Sequence, residues 1–140
     1  MDILTKVKSL GLPDKQFVVM GSAILELKGI RKAGDIDIIV TRQLFEQLRG
    51  DPAWQYKTKL GELGGEEVSF LKKGEVEVYL DIYGGGEIDF FLSNPTRTEE
   101  IGGIYFASLT NLLEIKSGSW DRPKDREDAR LIKEYLTKNL

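Results

Sequence analysis

The chain has 140 residues, 41% of them hydrophobic and 31% charged, and a net charge of −3, which fits one globular domain with a sizeable core and no overall basic field. It contains neither cysteine nor histidine, so disulfides, thiolate nucleophiles, Ser-His catalysis and thiolate or imidazole metal ligands are excluded. Chemistry is left to carboxylates, lysine, arginine, hydroxyls and backbone amides. No apolar run approaches the roughly 18–20 residues that cross a membrane, and MDILTKVKSLG lacks the apolar stretch of a signal peptide. The expectation is a cytoplasmic protein with no membrane partner.

In chain order, Ile3, Leu4, Val7 and Leu10 recur at helical spacing, and Gly11 and Pro13 end that pattern. Phe17–Met20 reads as a short buried strand closed by Gly21. Residues 22–28 are helix formers that stop at Gly29. Residues 35–40 are β-branched and strand-like. Thr41 is placed to cap a helix that runs to about Leu48, before Gly50-Asp51-Pro52. Three strands follow, at 54–59, 67–72 and 75–83, with Gly64-Gly65 and Lys73-Gly74 as turns. The glycine triplet 84–86 precedes a short apolar run, Ile88–Leu92. Residues 101–107 suggest a last strand, and helices at about 108–117 and 124–138 finish the chain. This order predicts an α/β to α+β fold with a mixed central sheet flanked by helices, in a single domain over 1–140.

The segment GSAILELKGIRKAGDIDIIV contains the most informative chemistry. Residues two apart on a strand face the same way, so Asp35 and Asp37 project together, their Cα atoms roughly 6.5–7 Å apart, while Ile36, Ile38 and Val40 face a core. Two such carboxylates suit hard cations such as Mg²⁺, which prefer oxygen ligands; the plainer alternative is a turn cap and a lysine partner. Gly21-Ser22 lies at a strand-to-helix turn, where backbone amides and a hydroxyl favour a phosphate. In EVEVYLDIY a third carboxylate is expected from Asp81, which sits between Leu80 and Ile82, with Glu77 and Asp89 as rivals.

A hydrophobic strand, Gly-Ser, a helix, D-I-D on a strand and then a later strand acid resemble the polymerase-β-like nucleotidyltransferase superfamily. The similarity is greatest to its small AbiEii-type and minimal members and covers roughly residues 15–136. The ending IYFASLTNLLEIK followed by RPKDREDARLI is similar to their C-terminal helices. The resemblance implies that Gly21 and Ser22 hold the phosphates of a nucleoside triphosphate such as ATP. It also implies that Asp35, Asp37 and Asp81 hold Mg²⁺ or Mn²⁺, with Asp81 helping to deprotonate the acceptor. The reaction implied is transfer of a nucleoside monophosphate to a hydroxyl on protein or RNA, with release of pyrophosphate. A role in a toxin–antitoxin or defence pair, with a cognate toxin or antitoxin as partner, is also left open. Relatives often carry Thr or Ser where this chain has Gly34.

Leu109, Leu112, Leu113 and Lys116 share one helical stripe, so Lys116 is open to two readings, a phosphate contact or a structural ion pair. Asp125 and Asp128 read as structural, and Arg31 and Lys32, in the loop before Asp35, as exposed loop charges, with contact to phosphate or acceptor as the alternative. Two other functions compete with the enzyme: a non-catalytic nucleotide-binding or partner-binding module on the same fold, and a structural cation site.

Overall fold

The computed structural model describes residues 2–60, 67–81, 88–117 and 122–139. Seven strands form one mixed sheet: β1 (Phe17–Met20), β2 (Ile36–Val40), β3 (Gln55–Leu60), β4 (Glu67–Lys73), β5 (Val76–Tyr79), β6 (Thr98–Ile101) and β7 (Ile104–Ala107). Their spatial order is β3-β4-β5-β2-β1-β7-β6. β2 pairs with β5 and β1 with β7 in parallel, and the remaining neighbours are antiparallel. The expected mixed α/β architecture is therefore present.

Helices α1 (Ile3–Ser9), α2 (Ala23–Leu27), α3 (Arg42–Arg49), α5 (Leu109–Ser117) and α6 (Pro123–Lys138) supply the larger core. Their Val7, Ile24, Leu25, Phe45, Leu112 and Ile132 pack against Val19, Ile36, Ile38, Val40, Val76, Val78 and Phe106 of the sheet. Burial of such a face is the main stabilising term of the fold. The opposite face carries a smaller cluster in which α4 (Ile88–Leu92) sets Ile88 and Phe91 against Val18, Met20, Ile39 and Ala107. Alternation in β2 is the reason for this division: Ile36, Ile38 and Val40 point into the helical layer, and Asp37 and Ile39 point away from it. None of the helices among the described residues is long and apolar enough to cross a membrane.

Local chemistry accounts for most boundaries. Thr41 caps α3, its hydroxyl accepting from the Leu44 amide at 3.2 Å. Thr41→Ala is expected to cost about 1 kcal/mol of unfolding free energy, measurable by urea denaturation. The expected single strand over 101–107 is instead a hairpin of β6 and β7. Its two-residue turn, Gly102-Gly103, has φ of +59° and +83°, a backbone suited to glycine and to the twist of paired strands. Ile88–Leu92 is a helix, so Asp89 lies exposed on α4 and not on a strand beside Asp37. β5 ends at Tyr79, short of the expected 75–83. The Gly64-Gly65 turn and the 84–86 triplet lie outside the described residues.

Candidate functional site

β1 and β2 run antiparallel with Met20 opposite Asp37, so the end of β1 lies beside the start of β2. Gly21 follows there with φ of +63°, a left-handed conformation that costs a side-chain-bearing residue about 1–2 kcal/mol. Ser22 leads into α2 and makes no capping hydrogen bond with its side chain. The turn expected to receive phosphate is thus next to the D-I-D segment.

Two contacts hold the loop that leads to Asp35. The Ala33 amide donates to Glu26 Oε1 at 2.8 Å. Arg31 donates through Nε and Nη2 to the two oxygens of Asp128, at 2.6 and 2.7 Å. Asp35 is exposed and lies just before β2, whereas Asp37 is half-buried within it.

On the other side of Asp37, the parallel register sets Glu77 of β5 directly opposite. Opposed residues share a face, so Glu77 is the neighbouring carboxylate. The sequence points to Asp81 for this place, with Glu77 as a rival. Asp81 falls beyond the end of β5, four positions past Glu77. Glu77 is a rival in the sequence because the acids at 77 and 81 alternate onto one face; the non-local pairing with β2 sets Glu77 opposite Asp37.

The electrostatics of the two acids differ. Burial raises the Asp37 carboxyl to about 6, with Glu77 and Asp35 adding to the rise and Lys59 and Lys72 opposing it. Among the described residues none donates a hydrogen bond to Asp37. Burial also acts to raise Glu77, but the Tyr79 hydroxyl, Lys72 and Lys59 outweigh it and hold Glu77 below the usual range. Tyr79 donates to Glu77 Oε1 at 2.5 Å and Lys72 to Oε2 at 3.2 Å. Lys59 Nζ stands 3.6 Å from Glu77 and donates to the Tyr79 hydroxyl at 2.6 Å. Burial and the bond to Glu77 push the Tyr79 phenol well above its ordinary value, so Tyr79 acts as a donor here.

Oxygen donors of this kind suit Mg²⁺ or Mn²⁺, and Asp37, raised and without a donor, is the group that a cation would relieve most. Asp35, Asp37 and Glu77 are the residues that could hold one. They are not a ready-made cage: among the described residues no three acids stand in a metal-binding arrangement, and Glu77 is turned to its lysines and Tyr79.

Lys116 is buried and bridges Asp125 at 3.1 Å and Asp128 at 2.9 Å. Of the two readings left open, the structure displays the ion pair; a phosphate contact would require Lys116 to leave both acids. Asp125 is also held by Arg122, and Asp128 by Arg31. Sequence reasoning missed Arg31, whose partner lies 97 residues away. Lys32 is exposed as expected. No protein-family model, curated protein or solved structure matches this chain.

Proposed function

We propose that the chain is a metal-dependent nucleotidyltransferase that moves a nucleoside monophosphate from a nucleoside triphosphate to a hydroxyl acceptor. The observation that carries this reading is the junction of the Gly21-Ser22 turn with Asp37 and Glu77 at one end of β1, β2 and β5. Glu77 takes the place that the sequence suggested for Asp81. Backbone amides at the turn and the Ser22 hydroxyl receive phosphate oxygens, and Asp35, Asp37 and Glu77 hold the cations. Bound Mg²⁺ supplies charge neutralisation and alignment of the attacking hydroxyl with the leaving pyrophosphate. The acceptor oxygen bonds to the α-phosphorus as the bond to the bridging oxygen breaks, and the hydroxyl proton passes to the carboxylate side of the site. The protein's part is positioning.

The test is incubation with each α-labelled triphosphate, Mg²⁺ and host extract. Label is expected on a macromolecular acceptor, falling at least about a hundredfold in Glu77→Gln, the scale of losing one transition-state contact, and unchanged within twofold in Asp81→Asn. No label with any triphosphate would overturn enzymatic transfer.

A second reading, a nucleotide-binding or partner-binding module without turnover, draws support from one contact set. Lys59, Lys72 and Tyr79 already satisfy Glu77. Triphosphate binding without transfer would favour it. A place in a toxin–antitoxin or defence pair belongs to the first reading and would appear as a bound cognate protein when the chain is purified from its host.

A further inference from the structure

The face of the sheet that carries Asp37 is divided by charge. The register puts Lys72 opposite Glu77 and Glu77 opposite Asp37, with Lys57 opposite Phe70 and Lys59 opposite Val68. On this face β3 presents Gln55, Lys57 and Lys59, and β4 presents Val68, Phe70 and Lys72. Neither strand puts a carboxylate there. A lysine half on β3 and β4 thus borders a carboxylate half on β5 and β2, and the Gly21-Ser22 turn lies beyond the carboxylates at β1.

The lysines are accessible and ordered across the face. Lys57 and Lys59 are exposed, roughly 6.5–7 Å apart along β3. Lys59 Nζ stands 4.9 Å over the Phe70 ring and 5.0 Å over the Tyr79 ring, and Tyr79 fixes it further with a hydrogen bond. The rings themselves are buried, so the surface offers point charges and no aromatic platform for bases.

We propose that this lysine half is a phosphate-binding surface whose occupant is the backbone of a single-stranded nucleic acid, which brings its end to Asp37 and Glu77 as the acceptor. The assignment rests on the nucleotidyltransferase reading for its orientation. If the triphosphate is held at the β1 end, the acceptor approaches the carboxylates from the other side, and that side is lysine. Three lysines without an exposed aromatic bind phosphates and do not read bases, so recognition is independent of sequence. The triphosphate itself is the other source of phosphate that the same lysines could take.

The experiment measures fluorescence anisotropy of a labelled RNA of about a dozen nucleotides, with ATP binding by calorimetry in the presence of Mn²⁺ alongside. For the wild-type chain the plot of log affinity against log salt is expected to slope at about −2, since each phosphate neutralised on a single strand contributes about −0.7. In Lys57→Gln, which leaves Lys59 and Lys72 in place beside Glu77, the slope should fall to about −1.4 and RNA affinity at low salt should drop about threefold, with ATP affinity unchanged within twofold. No RNA binding, an unchanged slope in the variant, or equal lysine-dependent binding of an acidic peptide would overturn the assignment. Loss of ATP affinity in the variant would assign the lysines to the triphosphate and overturn it too. Intact ATP binding without RNA binding sinks this inference and leaves the enzyme reading standing. Lysine-dependent RNA binding without ATP binding does the reverse.

Discussion

Asp37→Asn is expected to make the protein more stable at neutral pH while removing cation-assisted nucleotide binding. The carboxyl has an ordinary value of 3.8 and is raised to about 6 in the fold, chiefly by burial, with Glu77 and Asp35 adding. A group raised on folding favours the native state while protonated. Its favourable contribution is present below 3.8, declines as pH climbs and is gone above about 6. The difference corresponds to at most about 3 kcal/mol at pH 7. Asn avoids that cost, so the stability gap between variant and wild type should open between about pH 4 and 6 and stay level above. Urea denaturation of both proteins across that range checks it. A variant less stable than wild type at pH 7 would mean that Asp37 is satisfied in the fold, contrary to this account.

Lys116→Met is expected to have the largest destabilising effect, about 3–5 kcal/mol, because it leaves two buried acids short of a cation. Burial acts to raise both Asp125 and Asp128. Their bonds to arginine and to Lys116 outweigh it, and each carboxyl is held below its ordinary value. Their contribution is therefore present above about pH 4 and lost as pH falls through the depressed folded values, the opposite sense to Asp37. In the variant, that acid-sensitive part should shrink. The network also ties α6 to the loop before Asp35 through Arg31, so the same substitution should weaken triphosphate binding if Lys116 positions that loop. Melting curves at pH 5 and 7, with calorimetry for the nucleotide, read both effects. A loss below about 1 kcal/mol would show the network to be dispensable.

The parts legible in the sequence were those set by local rules. Phe17–Met20 with Gly21 behind it, the alternation of Ile36, Ile38 and Val40 around Asp37, and Thr41 ahead of an amphipathic run each declare their structure within a few residues. The site was less legible because its third acid depends on how β5 pairs with β2. Alternation alone leaves Glu77 and Asp81 equivalent; which acid lies opposite Asp37 depends on register, a long-range choice that a strand pattern does not contain. Ile88–Leu92 shows a related ambiguity, since four apolar or aromatic residues around one aspartate suit a short strand as well as a helical turn. Arg31 reads as an exposed loop charge until α6 folds back to offer Asp128. The lysines of β3 and β4 carry no motif, and they gain meaning only when the register sets them on the face of Asp37.

The junction of Gly21-Ser22 with Asp37 and Glu77 is tested most directly by a crystal grown with Mn²⁺ and a non-hydrolysable triphosphate, examined by anomalous diffraction. The expected result is an anomalous peak about 2.1–2.2 Å from oxygens of Asp37 and at least one of Asp35 and Glu77, with phosphate density at the Gly21-Ser22 turn. Manganese bound at Asp81, or triphosphate bound away from that turn, would contradict it.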